Sequence, residues 1–324
     1  MFPHDPDHLL AAVTHAAPFD YYRRQADGPP LRFDAALDCW LATGAGVAAV
    51  LEHVDLRVRP AGQPVPAHLI GTACGALFAE LARMNDGARH AAAKRKLMKQ
   101  LAGVDLAGLH ADTARLARDH LPGSAQQLNA LIFDVPLLAV AQLLGFAPAD
   151  GPRIAQWTQD VVAALPVTAE RASVARAELA ASALQAAFSG LRPDADASQT
   201  ANLIGLLIQT CEATAALLGN SVLALRTCQG PTLAIHNTRR FAACDVQIDK
   251  VTIRQGQMVL VLLAGAGLAY GHGVHRCPGQ AVAQTIVAAI LPAWSEALRS
   301  LGLDWHYRPS PNARIPVFTT AGIA

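Results

Sequence analysis

The segment Tyr270-Gly271-His272-Gly273-Val274-His275-Arg276-Cys277-Pro278-Gly279 sets one cysteine in a glycine-rich loop just ahead of a long apolar stretch. Gly271, Gly273 and Gly279 let the backbone turn sharply and approach a flat ligand closely. Pro278 suits a helix start, where a missing N–H costs nothing. Downstream, Val282, Ile286, Ile290 and Trp294 recur every four residues, with Ala283, Val287 and Leu291 beside them. That spacing predicts an amphipathic helix packed on a core. A thiolate held at its start is stabilised by the helix dipole and the loop N–H groups. Such a thiolate can serve as an axial ligand to heme iron, tuned by hydrogen bonds to the sulfur. A lone cysteine in this setting is more often a buried structural residue, so the surrounding pattern has to decide.

The pattern of aromatic-Gly-x-Gly-x-His-x-Cys-x-Gly resembles the cysteine loop of the cytochrome P450 family, with Tyr270 where Phe is usual. The resemblance implies Cys277 as the proximal thiolate ligand of heme b. It also implies His275 facing a heme propionate and Tyr270 lying against the sulfur and the ring, with Gly271, Gly273 and Gly279 shaping the loop.

Composition fits a globular protein. Of the 324 residues 52% are apolar, while the formal net charge is only +1. No basic excess points to nucleic acid, and no acidic tail is present. The N-terminal MFPHDPDHLL has neither a charged n-region nor an apolar h-region, so no signal peptide is expected. The longest uninterrupted apolar stretch, Met258 to Tyr270, is short and glycine-rich for a bilayer span, and no membrane association is expected. Cysteines at 39, 74, 211, 228, 244 and 277 show no CxxC pairing. That pattern argues against a zinc site and for reduced thiols in a cytoplasm.

Along the chain, Leu31 to Phe33 and Cys39 to Ala42 read as short strands and Val47 to His53 as a short helix. Helical periodicity runs from Ile70 to Met84, from Ala88 to Ala102 and from Ser124 to Leu144. It resumes over the alanine-rich residues 153–190, broken at Pro166, and over Asn202 to Arg226. Leu203, Leu206, Leu207, Ala213, Leu217 and Leu218 clothe much of that last helix, which should be largely buried. Arg240 to Ile248 and Val251 to Leu263 alternate and read as a small antiparallel sheet. The expected fold class is therefore mainly α with a small antiparallel β region, in one domain over 1–324.

Three further groups acquire meaning beside the loop. Glu212 lies in the buried helix, where a carboxylate is costly unless paired or useful. The resemblance makes this the distal helix, whose acid and following Thr relay protons. Here Ala213 follows the acid and the hydroxyl is Thr214, about 100° further round the helix. His90 and Lys94 share one helix face, and Arg239-Arg240 opens the sheet. Alone, these are solvated positions. The resemblance implies that His90, Lys94 and Arg240 bind heme propionates, with Lys94 standing where an arginine is usual.

The chain departs from the family twice. The Glu-x-x-Arg pair expected between the distal helix and the loop is missing: no glutamate occurs between Glu212 and Cys277. Glu80–Arg83 and Glu296–Arg299 match the bare pattern elsewhere. The segment from Ala264 to Ala269 leaves no room for the family's meander. Both losses fall on the proximal side. The resemblance thus implies a shortened heme-thiolate monooxygenase acting on a small or medium apolar substrate, lined by segments near 60–80 and 155–190. It implies electrons from a ferredoxin- or flavodoxin-type partner. Two alternatives stay open: a peroxide-using or non-redox heme-thiolate enzyme, and a degenerate relative serving as a binding partner. An exposed apolar proximal face would favour self-association.

Overall fold

The computed structural model describes residues 5–227 and 233–321. Residues 1–4 of the N-terminal stretch read above, and Cys228, lie outside the described residues.

Eleven α-helices are described: α1 (Leu9–Ala12), α2 (Phe19–Asp27), α3 (Gly46–Glu52), α4 (Ala73–Glu80), α5 (Gly87–Ala102), α6 (Leu106–Asp119), α7 (Ala125–Leu144), α8 (Gly151–Ala163), α9 (Arg171–Leu191), α10 (Ala197–Thr227) and α11 (Gln280–Ser300). The strands are β1 (Leu31–Asp34), β2 (Cys39–Ala42), β3 (Leu56–Arg57), β4 (Asn237–Ala242), β5 (Val246–Ile248), β6 (Val251–Ile253), β7 (Met258–Leu262), β8 (Leu303–Tyr307) and β9 (Pro316–Thr320).

α10 is the spine. Leu203, Ile204, Leu207, Ile208, Ala215 and Leu218 are buried on one side, and Gly205, Ala216 and Leu223 carry the buried surface round most of the circumference. It packs on α7, α8 and α11. Two buried asparagines on it reach out sideways. Asn202 accepts from the Ala82 N–H (2.7 Å) and donates to the Glu80 carbonyl (3.0 Å). Asn220 donates to the Arg314 carbonyl (2.6 Å). An amide buried without partners would be costly, so each bond fixes one neighbouring segment on the spine. Gly219 lets β9 come close, because a Cβ there would lie 2.6 Å from Pro316 Cγ.

The sheet around β7 has the order β1-β2-β7-β4-β3. Met258-Val259-Leu260-Val261-Leu262 alternates faces, as a strand must. Val259 and Val261 join a core with Val47, Val50 and Leu51 of α3. Leu260 and Leu262 face Leu41, Cys39 and Tyr22 on the other side.

Several details differ from the sequence reading. The expected helix over 70–84 is broken: Leu81 is extended (ψ 125°), and Ala82–Met84 is a 3-10 turn. The cause is tertiary, since Asn202 takes the Ala82 N–H away from helical pairing. The antiparallel expectation holds for β5–β6 and β4–β7, but β2 joins β7 in parallel, making that sheet mixed. α6 and the β8–β9 hairpin had no clear sequence signal. By length and composition α7, α10 and α11 could each cross a bilayer, which reading only unbroken apolar runs missed. α7 and α10 bury most of that surface within the protein, and α11 about a third of it.

Near the termini a buried polar cluster ties the ends together. Arg314 donates to the carbonyls of Val13 (2.8 Å) and His15 (2.7 Å), and stacks 3.5 Å from the centre of the Tyr307 ring. His236 is fully buried, with Nδ1 2.7 Å from the Tyr22 hydroxyl and Nε2 3.2 Å from the Leu233 carbonyl. Those partners assign Nε2 as donor and Tyr22 O–H as donor to Nδ1, which is the neutral imidazole. Burial, with the nearby Arg314 charge, lowers its pKa from 6.5 to about 3. The unfolded chain therefore binds this proton first as pH falls, and stability is lost from about pH 6.5 downward until the folded pKa is reached. We expect His236→Gln to flatten the acid limb of the stability curve by on the order of 1 kcal/mol per pH unit between pH 6 and 4, read by urea denaturation at each pH.

Candidate functional site

The loop before α11 is held by its own backbone. Cys277 N–H donates to the Tyr270 carbonyl (2.9 Å), Arg276 N–H to Gly273 (3.1 Å) and Gly271 N–H to Leu268 (2.8 Å). Gly271 and Gly273 have φ of +73° and +62°, a region that side chains disfavour. α11 starts at Gln280 with Gly279 as its N-cap. Pro278 thus precedes the cap instead of opening the helix, and Cys277 lies just beyond the first turn.

Other elements grip this loop. His272 Nε2 lies 2.7 Å from Glu52 Oε1 at the end of α3. Lys94 of α5 donates to the carbonyls of Arg276 (2.6 Å) and Val274. The His275 and His90 rings stack with centroids 4.1 Å apart. Asp86, the N-cap of α5, lies 3.1 Å from His275 Nε2 and accepts the Val58 N–H at 3.1 Å. Burial works to raise the Asp86 carboxyl pKa, but the His275 hydrogen bond, the Val58 N–H and the charges of His275 and Arg240 outweigh it and lower it. Arg240 on β4 is itself buried, with its guanidinium donating to the Arg239 carbonyl at 2.8 Å. Burial lowers the Arg240 pKa and Asp86 partly offsets it. The buried His90 is held neutral: burial, then the charges of His275 and Lys94, take its pKa down to about 4.

Cys277 is solvent-accessible, yet burial is the leading influence on its thiol and raises its pKa. Opposing that rise are the Gly279 N–H and the charges of Lys94, Arg83 and Arg276. Tyr270 shares the neighbourhood: burial and Cys277 raise its pKa, and its hydroxyl bonds Gln284 of α11.

The structure brings together His90, Lys94, Tyr270, Gly271, Gly273, His275, Cys277 and Gly279, with Arg240 joined through Asp86. Glu212 and Thr214 stand on α10. Thr214 is buried, whereas Glu212 is half-exposed and paired with Arg308, whose guanidinium lies over the Phe133 ring. Glu80 pairs with Arg89 at 2.5 Å, so the Glu80–Arg83 match does not form an internal pair. Sequence reading gave no site role to Asp86, Glu52 or Arg308, and met Arg83 only as a Glu-x-x-Arg match in another part of the chain. Asp86 carried a usable signal, four residues ahead of His90. The others meet the site only through the fold. An apolar recess of about 520 Å³ lies against Val65, Leu69, Ile70 and Ala76.

The donor set fits a heme-type group. It offers one thiol backed by an N–H and cations, and a separate cluster of His90, His275, Arg240 and Lys94 suited to carboxylates. Among the described residues no three His, Cys, Asp or Glu side chains converge on one point. Because Lys94 favours the thiolate, Lys94→Met should slow alkylation of Cys277 by iodoacetamide several-fold at pH 8 in the heme-free protein. Mass spectrometry of the peptide containing Cys277 would measure it.

No family model matches the chain. Among curated proteins it resembles the biotin biosynthesis cytochrome P450 of Bacillus subtilis (strain 168), at 23% identity over 249 residues, 56% of this chain and 63% of that one. The match thus spans less than two thirds of that relative's length. Among solved structures it resembles the P450 BioI complex with an acyl carrier protein ligated to hexadec-9Z-enoic acid: TM-score 0.72, 20% identity, 93% of this chain and 97% of that chain. It also resembles the epothilone B-bound P450 epoK, with TM-score 0.77, 17% identity and 98% of each chain covered. The helices around α10, the mixed sheet and the glycine-bent cysteine loop are together the fold of the cytochromes P450.

Proposed function

We propose that this chain is a single-domain heme-thiolate monooxygenase of the cytochrome P450 family, inserting one oxygen atom of dioxygen into a small or medium apolar organic substrate. The observation that carries the reading is Cys277, solvent-accessible in the glycine-bent loop, which Lys94 and the His90–His275 stack hold against α5, with Arg240 beside Asp86. Cys277 would be the axial ligand of heme b, and the cluster of His90, Lys94, Arg240 and His275 would hold its propionates. Bound there, heme supplies the activation of dioxygen.

The chain's own residues do the rest. Ligation requires the Cys277 proton to leave, and the Gly279 N–H with Lys94, Arg83 and Arg276 stabilises the resulting charge. Asp86 orients His275 so that its other ring nitrogen is free to face a carboxylate. On α10, Glu212 would pass protons inward from solvent only after releasing Arg308, with Thr214 beside it. That pairing favours a second reading, in which peroxide is the oxidant and no proton relay is needed. An apolar substrate is supported by the recess at Val65 to Ala76. The relative solved with a fatty acyl carrier protein supports it too.

A ferredoxin- or flavodoxin-type donor would deliver electrons to the proximal side, which self-association would also suit. The free thiols of Cys39, Cys74, Cys211, Cys244 and Cys277 are consistent with a cytoplasmic setting. With heme supplied, the reduced, carbon-monoxide-bound protein should give the long-wavelength Soret band of thiolate ligation. Cys277→Ala should abolish it; an unchanged band in that variant would overturn the ligand assignment. Turnover with a surrogate reductase, compared with turnover on peroxide, separates the two readings.

A further inference from the structure

α10 is buried on most sides, but one line along it stays open. Leu206, Gln209, Thr210, Ala213 and Leu217 are each half-buried, and the residues between them, Glu212 apart, are buried. Steps of three and four residues put those five on one helix face. The same series runs back through Leu203 to Gln199, and there the neighbour is α5. Gln199, Asn202 and Leu203 adjoin Ala93, Leu97 and Gln100 of α5 around a small recess. Lys96 of α5 also pairs with Asp196, just ahead of α10, at 2.5 Å. The open line therefore continues the face that α5 covers.

α5 holds the cysteine loop with other residues. Lys94 donates to the Arg276 carbonyl, and His90 stacks on His275. With 3.6 residues per turn, that pair lies roughly a quarter-turn round α5 from its α10-facing residues. Adjacent faces of α5 thus meet α10 and the loop, as at a corner. α11 closes the figure, because it starts at the loop and its last carbonyls, Leu298 (2.8 Å) and Leu301 (3.0 Å), accept from Arg226 of α10. The open line of α10 and the loop carrying Cys277 look into the space so enclosed.

Two polar side chains stand on that line. Gln209 donates its amide to the Gly205 carbonyl at 2.9 Å. Thr210 has no hydrogen-bond partner among the described residues. Glu212 lies more than a quarter-turn off the line and is paired with Arg308. Thr214 is buried, at 3% exposure. Thr210 alone combines a place on the open line with an uncommitted O–H.

We propose that Thr210, and not Thr214, is the residue through which α10 donates a hydrogen bond to a small molecule held on the heme face opposite Cys277. The proposal rests on the heme-thiolate reading. It moves the distal hydroxyl one helical turn toward the N-terminus from the position that the family resemblance implied. The physical reason is access: Thr210 presents its hydroxyl to the enclosed space, whereas the hydroxyl of Thr214 is packed away from it.

Two measurements test this. In the heme-free protein, Thr210→Cys should be alkylated by iodoacetamide about ten-fold or more faster than Thr214→Cys, because an accessible thiol reacts and a buried one does not. Fragmentation of the peptide in the mass spectrometer separates position 210 from the neighbouring Cys211. Heme loading should slow the reaction at position 210 several-fold. In the heme-loaded protein, the infrared stretch of bound carbon monoxide should shift in Thr210→Val, return toward the wild-type position in Thr210→Ser, and stay in place in Thr214→Val. Equal alkylation at the two positions, or no protection by heme, overturns the proposal. So does a carbon-monoxide stretch that Thr210→Val leaves unmoved or that Thr214→Val moves instead. Should Thr210→Val fail to fold or load heme, the cysteine variants still decide. A wild type without the thiolate-type Soret band defeats the heme-thiolate reading instead, and alkylation of the heme-free protein still reads separately which hydroxyl faces the space.

Discussion

Burial of α10 is the constraint on which the rest of the structure depends. A helix buried around most of its circumference cannot satisfy polar side chains through water, so each must find a protein partner. Asn202 and Asn220 meet that demand by binding backbone outside the helix. One fixes the turn carrying Arg83 and leading to α5; the other fixes the segment carrying Arg314. Removing either amide would leave buried backbone groups without partners, at a cost of roughly 1–3 kcal/mol each. The apolar spine thus sets the position of polar elements far away in sequence.

The cysteine loop depends on a different balance. Its geometry is local, made by two left-handed glycines and three short-range backbone bonds. Its chemistry is not local. Burial opposes the thiolate, and the compensating charges come from Lys94 on α5 and Arg83 on the adjoining turn, with Arg276 from the loop itself. The stacking of His90 on His275, and the grip of Asp86, join α5 to the same loop. Loop and α5 therefore behave as one unit, although about 190 residues separate them in sequence. The proximal support expected from a Glu-x-x-Arg pair has no counterpart in Glu80, which faces Arg89, and the loop is instead braced by Lys94 and by Glu52 against His272.

Legibility in the sequence followed the range of the interactions. The long helices were readable because apolar side chains recurring every three or four residues must share a face. The β5–β6 hairpin was readable because Asp249-Lys250 marks its turn, where Asp249 takes a positive φ of 49°. The helix expected over 70–84 failed at Leu81 because a side chain from α10 competes for its backbone. The parallel pairing of β2 with β7 joins strands more than two hundred residues apart, a distance over which no local pattern carries register. Likewise Glu212 was legible as a carboxylate needing a reason, while its partner Arg308 was not.

The sequence by itself determined the helical class, the glycine-bent loop with its cysteine, and the positions of His90, Lys94 and Arg240 as candidate anchors. The helical class and the loop rest on periodicity or on backbone preference within a few residues, whereas the three anchors rest on the resemblance that the loop carries. Only the tertiary structure decided which charges face the thiol and which acid is already paired. Those outcomes depend on burial and long-range packing, which set the electrostatic environment of a group regardless of its neighbours along the chain.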